Sequence, residues 1–478
     1  MKNTDPELLA LLRAGLHREK PADPGLPPED WQELLRRAEA HMLLPVILDA
    51  ACALPSCRAA LRPSVGAGSP GPSSPVGAEL EESRKYAHIG PSSPVGADAH
   101  IGPSSSVGAG SPGPSAPQKC HSERSEESAS PVSAPDWKAL VLEQVSRQVR
   151  QENEFLNLIL ALRERGLEPV VMKGCVCRAL WPKPLLRPSV DDDLLIPPDQ
   201  APAFHAALLD LGLTPDNPAA DPETAWELSW HKPSSPLYIE LHKQLFAPES
   251  DALLGFNAPF DGALDRTVPV QIQDVTLRTL APTDHLRFLL LHAFKHFLYS
   301  GFGLRIIADV CLFAQHYAAD IDFDGLLALC VSLRCDRFAA ALFRIGEKHL
   351  GLPAPAAFAA IEADETALLE DVLASGLVGA DIDRLHSANI TLGAVADRNN
   401  GRARSGGLRK VLFPSAPQLS DRYPWLRKRP WLLPAAWVSR MGSYLKDRGK
   451  HGAESPAASL RIGRARVELL KTYGIIDE

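Results

Sequence analysis

One segment near the middle of the chain constrains the fold more than any other. An apolar stretch at residues 170–172 ends in the pair Lys173-Gly174, and an acidic run at 191–193 leads into the apolar residues 194–196. Short apolar runs separated by a glycine turn are typical of buried strands, and a short helix fits between them. The segment therefore predicts a strand, a tight turn, a helix and a second strand that begins with carboxylates.

The three consecutive acids should not be equivalent. Because side chains alternate along a strand, Asp191 and Asp193 would share one face while Asp192 points the opposite way. Two like charges about 4 Å apart repel by roughly 4 kcal/mol at an effective dielectric near 20. A cation or a proton must offset that repulsion at a buried site, so the spacing indicates a metal-nucleotide site at Asp191 and Asp193.

A later stretch supplies a third acid. Residues 236–242 alternate so that Glu240 and His242 share one strand face. Nucleotidyl transfer requires carboxylates that hold divalent metals on the attacking and leaving oxygens. We expect Asp191 and Asp193 to bind Mg²⁺, for which Mn²⁺ could substitute, and Glu240 to complete the ligands of a second metal. His242 either contacts the substrate or is a hydrogen-bonded structural residue, and the sequence favours neither.

Basic and glycine residues beside the acids would hold the phosphates. Gly174 opens a helix, whose first N–H groups have no partner within the helix and favour anions, so it could bind the β- and γ-phosphates. Lys173 and Arg187 could neutralise the triphosphate or the departing pyrophosphate. Together with the acids, these residues predict an NTP as a partner of the protein.

Four short motifs carry a resemblance to a known family. They are Lys173-Gly174, Arg187-Pro188, Asp191-x-Asp193-Leu194-Leu195 and Glu240-Leu241-His242. In this order they resemble the Lys-Gly, Arg-Pro, Asp-x-Asp-Leu-Leu and Asp/Glu-Leu-His signatures of the uncharacterised bacterial nucleotidyltransferase family, within the DNA polymerase β-like superfamily. His41, the pair His292 and His296, the pair Arg305 and Asp309, and residues 412–415 also follow in the order that this family shows. The resemblance implies Mg²⁺-dependent transfer of a nucleoside monophosphate from an NTP to a hydroxyl-type acceptor, with release of pyrophosphate.

Two residues depart from the wider superfamily pattern. Cys175 stands where a serine is usual, which removes a hydroxyl that can bond phosphate but preserves a backbone cradle, so Cys175 stays a nucleotide-binding candidate. Asp192 stands where a hydrophobic residue is expected, so either its strand lies near a sheet edge or Asp192 pairs with a base such as Arg187. These departures keep a second hypothesis open: a catalytically weakened nucleotide-binding or scaffold protein on the same fold. A phosphohydrolase that uses the same metals is a third.

The complete pattern predicts an α+β protein. A polymerase β-like nucleotidyltransferase core with a small mixed sheet would be embraced by N-terminal helices and followed by a C-terminal helical domain. The expected divisions are an N-terminal helical segment at 1–54, a disordered Pro/Gly/Ser/Ala-rich insertion at 55–135, a long helix at 136–165, the core at 166–280, a helical domain at 281–380 and a partly ordered basic and Trp/Pro-rich tail at 381–478. Internal repeats in the insertion indicate a tandem duplication within a surface loop, with a regulated binding linker as the alternative.

Composition bounds the partners. A net charge of −8 and a pI near 6.0 argue against a broad nucleic-acid surface, although a local basic groove remains compatible with them. Eight cysteines without paired C-x-x-C spacing, no secretory leader and no long apolar run predict reduced thiols in a cytoplasmic protein without a membrane span. The expected partners are an NTP and an unidentified acceptor.

Three further features have ordinary explanations. His292 and His296 are four residues apart, as in some zinc sites, but no third ligand appears at a useful spacing, so packing against the core is favoured. Arg305 and Asp309 are also four apart, where an intrahelical ion pair is the default. The basic run at 402–409 is expected to be a solvated, flexible segment.

Overall fold

The structure is a computed structural model that describes residues 4–61, 135–376, 382–401, 425–439 and 456–477. It combines one mixed β-sheet with helices that precede, cover and follow the sheet. The fold is therefore α+β, as the sequence pattern predicts. Among the described residues, no helix combines the length and the apolar composition needed to cross a membrane.

The sheet is built from the apolar runs of the central segment. Its strands are β1 Val170–Met172, β2 Asp192–Leu195, β3 Thr214–Pro215, β4 Glu227–His231, β5 Tyr238–His242, β6 Thr267–Ile272 and β7 Val275–Leu280. Within the described ranges these seven strands lie in the order β3-β4-β5-β2-β1-β7-β6. β2 runs parallel to β5 and β1 runs parallel to β7, and the other neighbouring pairs are antiparallel. β2 is therefore a central strand.

Helices account for most of the remaining described chain. Their bounds are α1 Asp5–His17, α2 Pro28–Ala40, α3 Leu44–Ala51, α4 Pro55–Ala60, α5 Trp137–Arg163, α6 Gly174–Ala179, α7 Ala201–Asp210, α8 Pro282–Tyr299, α9 Leu304–His316, α10 Phe323–Ser332, α11 Asp336–Leu350, α12 Ala356–Ala359, α13 Glu365–Ser375, α14 Ile382–Asn399, α15 Trp425–Lys428 and α16 Pro456–Thr472. The long helix expected before the core corresponds to α5. The helical half expected after the core corresponds to α8 through α13.

Local sequence explains where the long helix α5 begins and what it buries. The Asp136 carboxylate caps its first turn by accepting hydrogen bonds from the backbone N–H groups of Lys138 and Ala139, at 3.2 and 3.1 Å. Further along, Phe155 and Ile159 are four residues apart and both are buried. The helix therefore presents one apolar face to the sheet and leaves the other face to solvent.

The two faces of the sheet are covered by different helices. On one face, Nε2 of Gln151 in α5 donates a hydrogen bond to Oδ2 of Asp192 at 3.1 Å. On the other face, Nζ of Lys173, directly after β1, lies 3.0 Å from Nε2 of His292 in α8. The acidic strand β2 thus lies between α5 and α8.

The C-terminal helices extend the helical half. Oγ1 of Thr391 in α14 donates to the backbone oxygen of Leu298 in α8 at 2.6 Å. Nη1 of Arg466 in α16 lies 2.8 Å from both carboxylate oxygens of Asp371 in α13. Parts of the segment expected to be a tail therefore pack on α8 and α13.

One boundary and two strands differ from the prediction, and some predictions concern residues outside the described ranges. Residues 55–60 form α4 with Cys57 buried, so the disorder predicted from residue 55 is wrong for these residues, because their apolar groups pack beside α2. The strands β3 and β4 were not predicted. The repeats at 62–134, the basic run at 402–409 and the motif at 412–415 lie outside the described residues.

Candidate metal and phosphate site

The centre of the site is a pair of acids and a histidine on two parallel strands. The ladder pairs Asp193 of β2 with Glu240 of β5, and His242 lies two residues further along β5, hence on the same face. One ligand atom from each of these three side chains lies within 4.8 Å of the others. The Asp193 side chain is 2% exposed, whereas that of Glu240 is 13% exposed. Two carboxylates and an imidazole thus converge at a position that is not closed to solvent.

Two cationic groups balance Asp193. Its Oδ2 lies 2.9 Å from Nζ of Lys173, and its Oδ1 accepts a hydrogen bond from Nε2 of His242 at 3.1 Å. Burial would raise the pKa of Asp193, but these two cations lower the pKa below its ordinary value. Burial likewise opposes the charged form of His242, but its hydrogen bonds to Asp193 and Glu240 raise its pKa to about 10. His242 is therefore an imidazolium at neutral pH when no metal is bound.

Glu240 has a different electrostatic balance from Asp193. Burial and the charge of Glu227 raise the pKa of Glu240 to about 7, and its hydrogen bond with His242 offsets only part of that shift. A carboxyl group with a pKa near neutrality is well matched to accept and release a proton. The two acids of the cluster are therefore suited to different tasks.

Asp191 lies beside this cluster. It directly precedes β2 and is partly exposed. Burial lowers the pKa of Lys173, but the charges of Asp193 and Asp191 raise it above its ordinary value, so both acids act on one ammonium group. Among the described residues, the close group of ligand atoms consists of Asp193, Glu240 and His242, with Asp191 outside it. The structure thus brings Asp193 and Glu240 together and leaves Asp191 at their margin.

Asp192 points to the opposite face, where it is 2% exposed. Burial raises its pKa to about 6, although nearby Arg178 and the hydrogen bond from Gln151 lower the pKa. The edge-strand explanation for this residue is wrong, and so is the choice of Arg187 as its base, whereas the charge of another base, Arg178, does act on it. β2 is the fourth of the seven strands in the described sheet, not an edge strand. Asp192 is held by Gln151, and Arg187 has another partner.

Arg187 is 3% exposed, and its guanidinium is held by protein groups. Nη2 and Nε donate to the two carboxylate oxygens of Asp309 in α9, at 2.6 and 3.1 Å. Nη1 donates to Oγ of Ser189 and, at 3.4 Å, to the backbone oxygen of Gly174. Arg187 therefore ties the glycine turn to α9. Its predicted contact with the triphosphate stays a prediction, and this geometry favours a positioning role.

The turn at Lys173 and Gly174 has an unusual backbone. Both residues have positive φ, at 46° and 26°. A Cβ on Gly174 would lie 2.6 Å from Oδ1 of Asp192, so a larger residue would collide with that carboxylate. The Lys173 N–H donates to Nε2 of His285 at 3.1 Å, which fixes the turn against α8. The turn thereby presents the Lys173 ammonium to the Asp193 face.

Cys175 lies on the side of the turn that faces Asp192. Its side chain is 2% exposed. Burial and then the charge of Asp192 raise the pKa of its thiol above the ordinary value, and Arg178 lowers it. The thiol is therefore neutral and surrounded by the groups that hold Asp192. Its predicted nucleotide contact stays a prediction, and only its backbone would make that contact without rearrangement.

Two pairs of residues four apart on helices contact each other: His292 with His296 in α8, and Arg305 with Asp309 in α9. Nε2 of His292 lies 3.2 Å from Nε2 of His296 and also contacts Lys173. Among the described residues, neither histidine belongs to a group of three metal-ligating side chains. The predicted ion pair is present, with Nη1 of Arg305 3.7 Å from Oδ2 of Asp309.

Two residues of this region were missed by sequence reasoning. Glu227 in β4 lies opposite His242 in the ladder, with its Oε2 3.4 Å from Nδ1 of the imidazole. The alternation of buried Leu228 and Trp230 with partly exposed neighbours was a period-2 signal that could have revealed β4. Lys295 in α8 is 6% exposed, and its burial had no sequence signal beyond its place in an apolar helix.

The cluster fits a divalent cation. Carboxylate oxygens suit Mg²⁺, and Mn²⁺ also accepts imidazole nitrogen. Oδ2 of Asp193 is buried and accepts no well-aligned hydrogen bond among the described residues, although the Lys173 ammonium lies 2.9 Å away. A metal ion could therefore replace Lys173 as the counter-charge of that oxygen. Coordination by His242 would first require loss of its proton.

Carboxylates on neighbouring strands, beside a lysine on a glycine turn, are the groups used by proteins that handle metal-bound phosphates. Residues 115–351 match a family model described as uncharacterised nucleotidyltransferase. These residues are therefore assigned to this nucleotidyltransferase family, which places the protein among the transferases. Neither the curated proteins nor the solved structures contain a match.

Proposed function

We propose that the protein transfers a nucleoside monophosphate from an NTP to a hydroxyl-type acceptor, with Mg²⁺ as cofactor. The observation that carries this proposal is the Asp193, Glu240 and His242 cluster within a nucleotidyltransferase domain. In the reaction, the acceptor oxygen bonds to the α-phosphorus, the bond from that phosphorus to the β-bridging oxygen breaks, and pyrophosphate leaves. The acceptor hydroxyl loses its proton to a base.

We assign the acids to the metals and the proton. Asp191, Asp193 and Glu240 would hold the divalent metal, which supplies charge stabilisation for the attacking and leaving oxygens. Burial and Glu227 raise the pKa of Glu240 to about 7 in the absence of metal, and a bound metal would lower it. Glu240 would therefore act as a metal ligand that favours loss of the acceptor proton to water. The 13% exposure of its side chain leaves it open to a bound acceptor.

We assign the glycine turn to the phosphates. Lys173 balances Asp193 without metal, and a metal at Asp193 would release the ammonium to a phosphate oxygen. Backbone N–H groups at Gly174 and Cys175 would approach the same phosphates. Arg187 would act through the turn, because its guanidinium is bound to Asp309 and to the backbone oxygen of Gly174.

His242 would orient Asp193 and adjust its charge. Its Nε2 donates to Oδ1 of Asp193 and lies 3.6 Å from Oε2 of Glu240, so it contacts both acids. This geometry favours a structural and electrostatic role over direct contact with the acceptor.

The test is a transfer assay with each α-labelled NTP, Mg²⁺ and a cell extract as the source of acceptors. We expect a labelled product, identified by mass spectrometry, together with pyrophosphate in equal amount. Asp193→Asn should abolish both, and Lys348→Met, at an exposed residue paired with Glu365, should preserve both. Mg-NTP binding without turnover across all extracts would instead support the scaffold hypothesis. Phosphate release with water as the sole acceptor would support a phosphohydrolase.

A further inference from the structure

A basic wall lies next to the acidic cluster. We use this name for Lys173 with four residues of the helical half: His292, Lys295, His296 and Arg305. The three residues of α8 are spaced i, i+3 and i+4, so they share one side of the helix. Arg305 lies in the first turn of α9. These helices bring basic groups from outside the predicted core to the site of the acids.

Lys295 is the most unusual member of the basic wall. Its side chain is 6% exposed, and among the described residues its ammonium, which keeps a small contact with solvent, has no hydrogen bond and no ion pair within 4.0 Å. Removing an ammonium from water without a close partner is strongly unfavourable, and proteins usually pair such a group. A buried lysine without a partner is therefore a candidate for binding an anionic ligand.

Arg305 is also poorly compensated. Its Nε is buried without a hydrogen-bond partner among the described residues. Its carboxylate neighbour, Asp309, lies 3.7 Å away and already accepts hydrogen bonds from Arg187 and from the indole of Trp181. Most of the donor capacity of this guanidinium is thus unused in the described structure.

The positive charge of the basic wall comes from Lys173, Lys295 and Arg305, and it acts on the two histidines between them. Burial, followed by the charges of Lys295, Lys173 and Arg305, lowers the pKa of His296 to about 3, so this imidazole is neutral. Burial and the charge of Lys173 also lower the pKa of His292. An anion placed among these groups would relieve their mutual repulsion.

The nearby carboxylates attract Lys295 but do not form an ion pair with it. Burial lowers the pKa of Lys295, and Glu227 and Glu240 raise it, so these carboxylates do attract the ammonium. Neither carboxylate reaches within 4.0 Å of it. Glu240 would also be committed to a metal in the proposed function. A ligand that is anionic and also binds divalent metals would fit between the acids and the basic wall.

We propose that the basic wall is a polyphosphate subsite, in which Lys295 and Arg305 bind the β- and γ-phosphates of the NTP and the departing pyrophosphate. This inference rests on the proposed function for the identity of the ligand. It gives the helical half a direct role in substrate binding. It assigns the phosphate contact that the sequence predicted for Arg187 to Lys295 and Arg305. The donors of Arg187 are occupied by protein groups, whereas within the described ranges those of Lys295 and Arg305 are not.

Inorganic tripolyphosphate is the probe, because it carries the phosphate chain without a base or a sugar. The full-length protein is titrated by calorimetry in Mg²⁺. We expect binding to the unaltered protein, at least tenfold weaker binding to Lys295→Met and to Arg305→Gln, and unchanged binding to Lys348→Met. No binding to the unaltered protein, or equal binding to all four proteins within twofold, would overturn the proposal.

A second pair of variants separates binding from folding. Because the Lys295 side chain is 6% exposed and its ammonium has no close partner among the described residues, Lys295→Met should unfold at the same urea concentration as the unaltered protein or at a higher one. If Lys295 serves only to balance Glu227, Lys295→Met should unfold earlier, and Lys295→Met combined with Glu227→Gln should recover both stability and tripolyphosphate binding. Recovery of binding in that double variant would contradict the proposal.

The transfer assay distinguishes this inference from the proposed function. Tripolyphosphate binding that depends on Lys295, in a protein that never forms a labelled product, would leave the subsite intact and remove the transferase assignment. Product formation by Lys295→Met with an unchanged KM for the NTP would do the reverse. If both proposals are right, Lys295→Met should raise that KM at least tenfold and still form the same product.

Discussion

Asp192 and Asp193 are adjacent residues of one strand, yet their surroundings differ in kind. Asp193 faces α8, where two cations contact it and Glu240 lies beside it. Asp192 faces α5, where it is buried against the glycine turn and held by Gln151. Cations lower the pKa of the first carboxyl group, and burial raises that of the second to about 6.

This difference shows that an acidic run is not one functional unit. Because side chains alternate along a strand, the run is divided between two faces. On the Asp193 face a metal could replace the cations, whereas on the Asp192 face the carboxylate is buried and closed to a ligand. On the Asp192 face, a salt bridge of Glu152 with Arg178 and a hydrogen bond from Arg178 to Ser189 complete a buried polar layer. That layer packs against the turn at Lys173 and Gly174, while the Asp193 face holds the groups to which we assign the chemistry.

The largest expected effect comes from neutralising each acid in turn. We expect Asp193→Asn to lower the rate of nucleotidyl transfer by about 10³-fold or more, equivalent to roughly 4 kcal/mol of transition-state stabilisation, because it removes a metal-binding oxygen. Asp192→Asn should keep the rate within about tenfold, since an amide can still accept the hydrogen bond from Gln151. The measurement is the initial rate of labelled-product formation. Equal losses in the two variants would show that the faces are not functionally distinct.

The pH dependence of stability should also separate the two acids. Asp192 has a folded pKa of about 6, above its ordinary value of 3.8, so its contribution to stability is full below about pH 3.8 and is lost as the pH rises through 6. Asp193 has a lowered pKa, so its contribution is present above its ordinary value and is lost as the pH falls through the folded pKa.

Between pH 4.5 and 7.5, Asp192→Asn should therefore gain stability over the unaltered protein, by up to about 3 kcal/mol for a shift of roughly two units. Asp193→Asn should show a nearly constant deficit over the same range. Urea unfolding in EDTA at several pH values provides the measurement. A difference between the unaltered protein and Asp192→Asn that does not change with pH would contradict the assigned pKa.

Much of the core was predictable because its signals are local. The apolar runs of β1, β2 and β5, and the alternation that selects Asp193, Glu240 and His242, follow from neighbouring residues. Alternating apolar residues also mark the hairpin of β6 and β7, at Val268, Val270 and Ile272 and at Val275 and Leu277.

The unpredicted features depend on contacts between distant parts of the chain. Arg187 pairs with Asp309, 122 residues away, whereas the sequence offered Asp192 nearby. Asp192 sits in a central strand because Gln151 and Arg178 meet its charge, and neither partner is marked by spacing. The burial of Lys295 near the acids depends on how α8 packs against the sheet.

A smaller effect is expected where the two faces meet, at Gly174. Gly174→Ala places a Cβ where Oδ1 of Asp192 is 2.6 Å away, at a residue with positive φ, so we expect a loss of roughly 1–3 kcal/mol in the free energy of unfolding. In an Asp192→Ala background the obstructing carboxylate is gone, so the same change should have a smaller effect. Urea denaturation of the four proteins gives the coupling. Strictly additive losses would show that Asp192 does not explain the glycine.

The smallest expected effect concerns the proton on His242. Its pKa of about 10 means that a metal which takes this nitrogen as a ligand must displace a proton, so Mn²⁺ affinity should rise about tenfold per pH unit, roughly 1.4 kcal/mol, between pH 7.5 and 9. Glu240, whose pKa is about 7, is mostly ionised above pH 7.5, so its titration adds only a small part of that slope. Calorimetric Mn²⁺ titrations should give a lower slope for His242→Gln and an unchanged slope for Asp192→Asn. A slope near zero in the unaltered protein would mean that His242 keeps its proton and supports Asp193 from outside the metal's ligands.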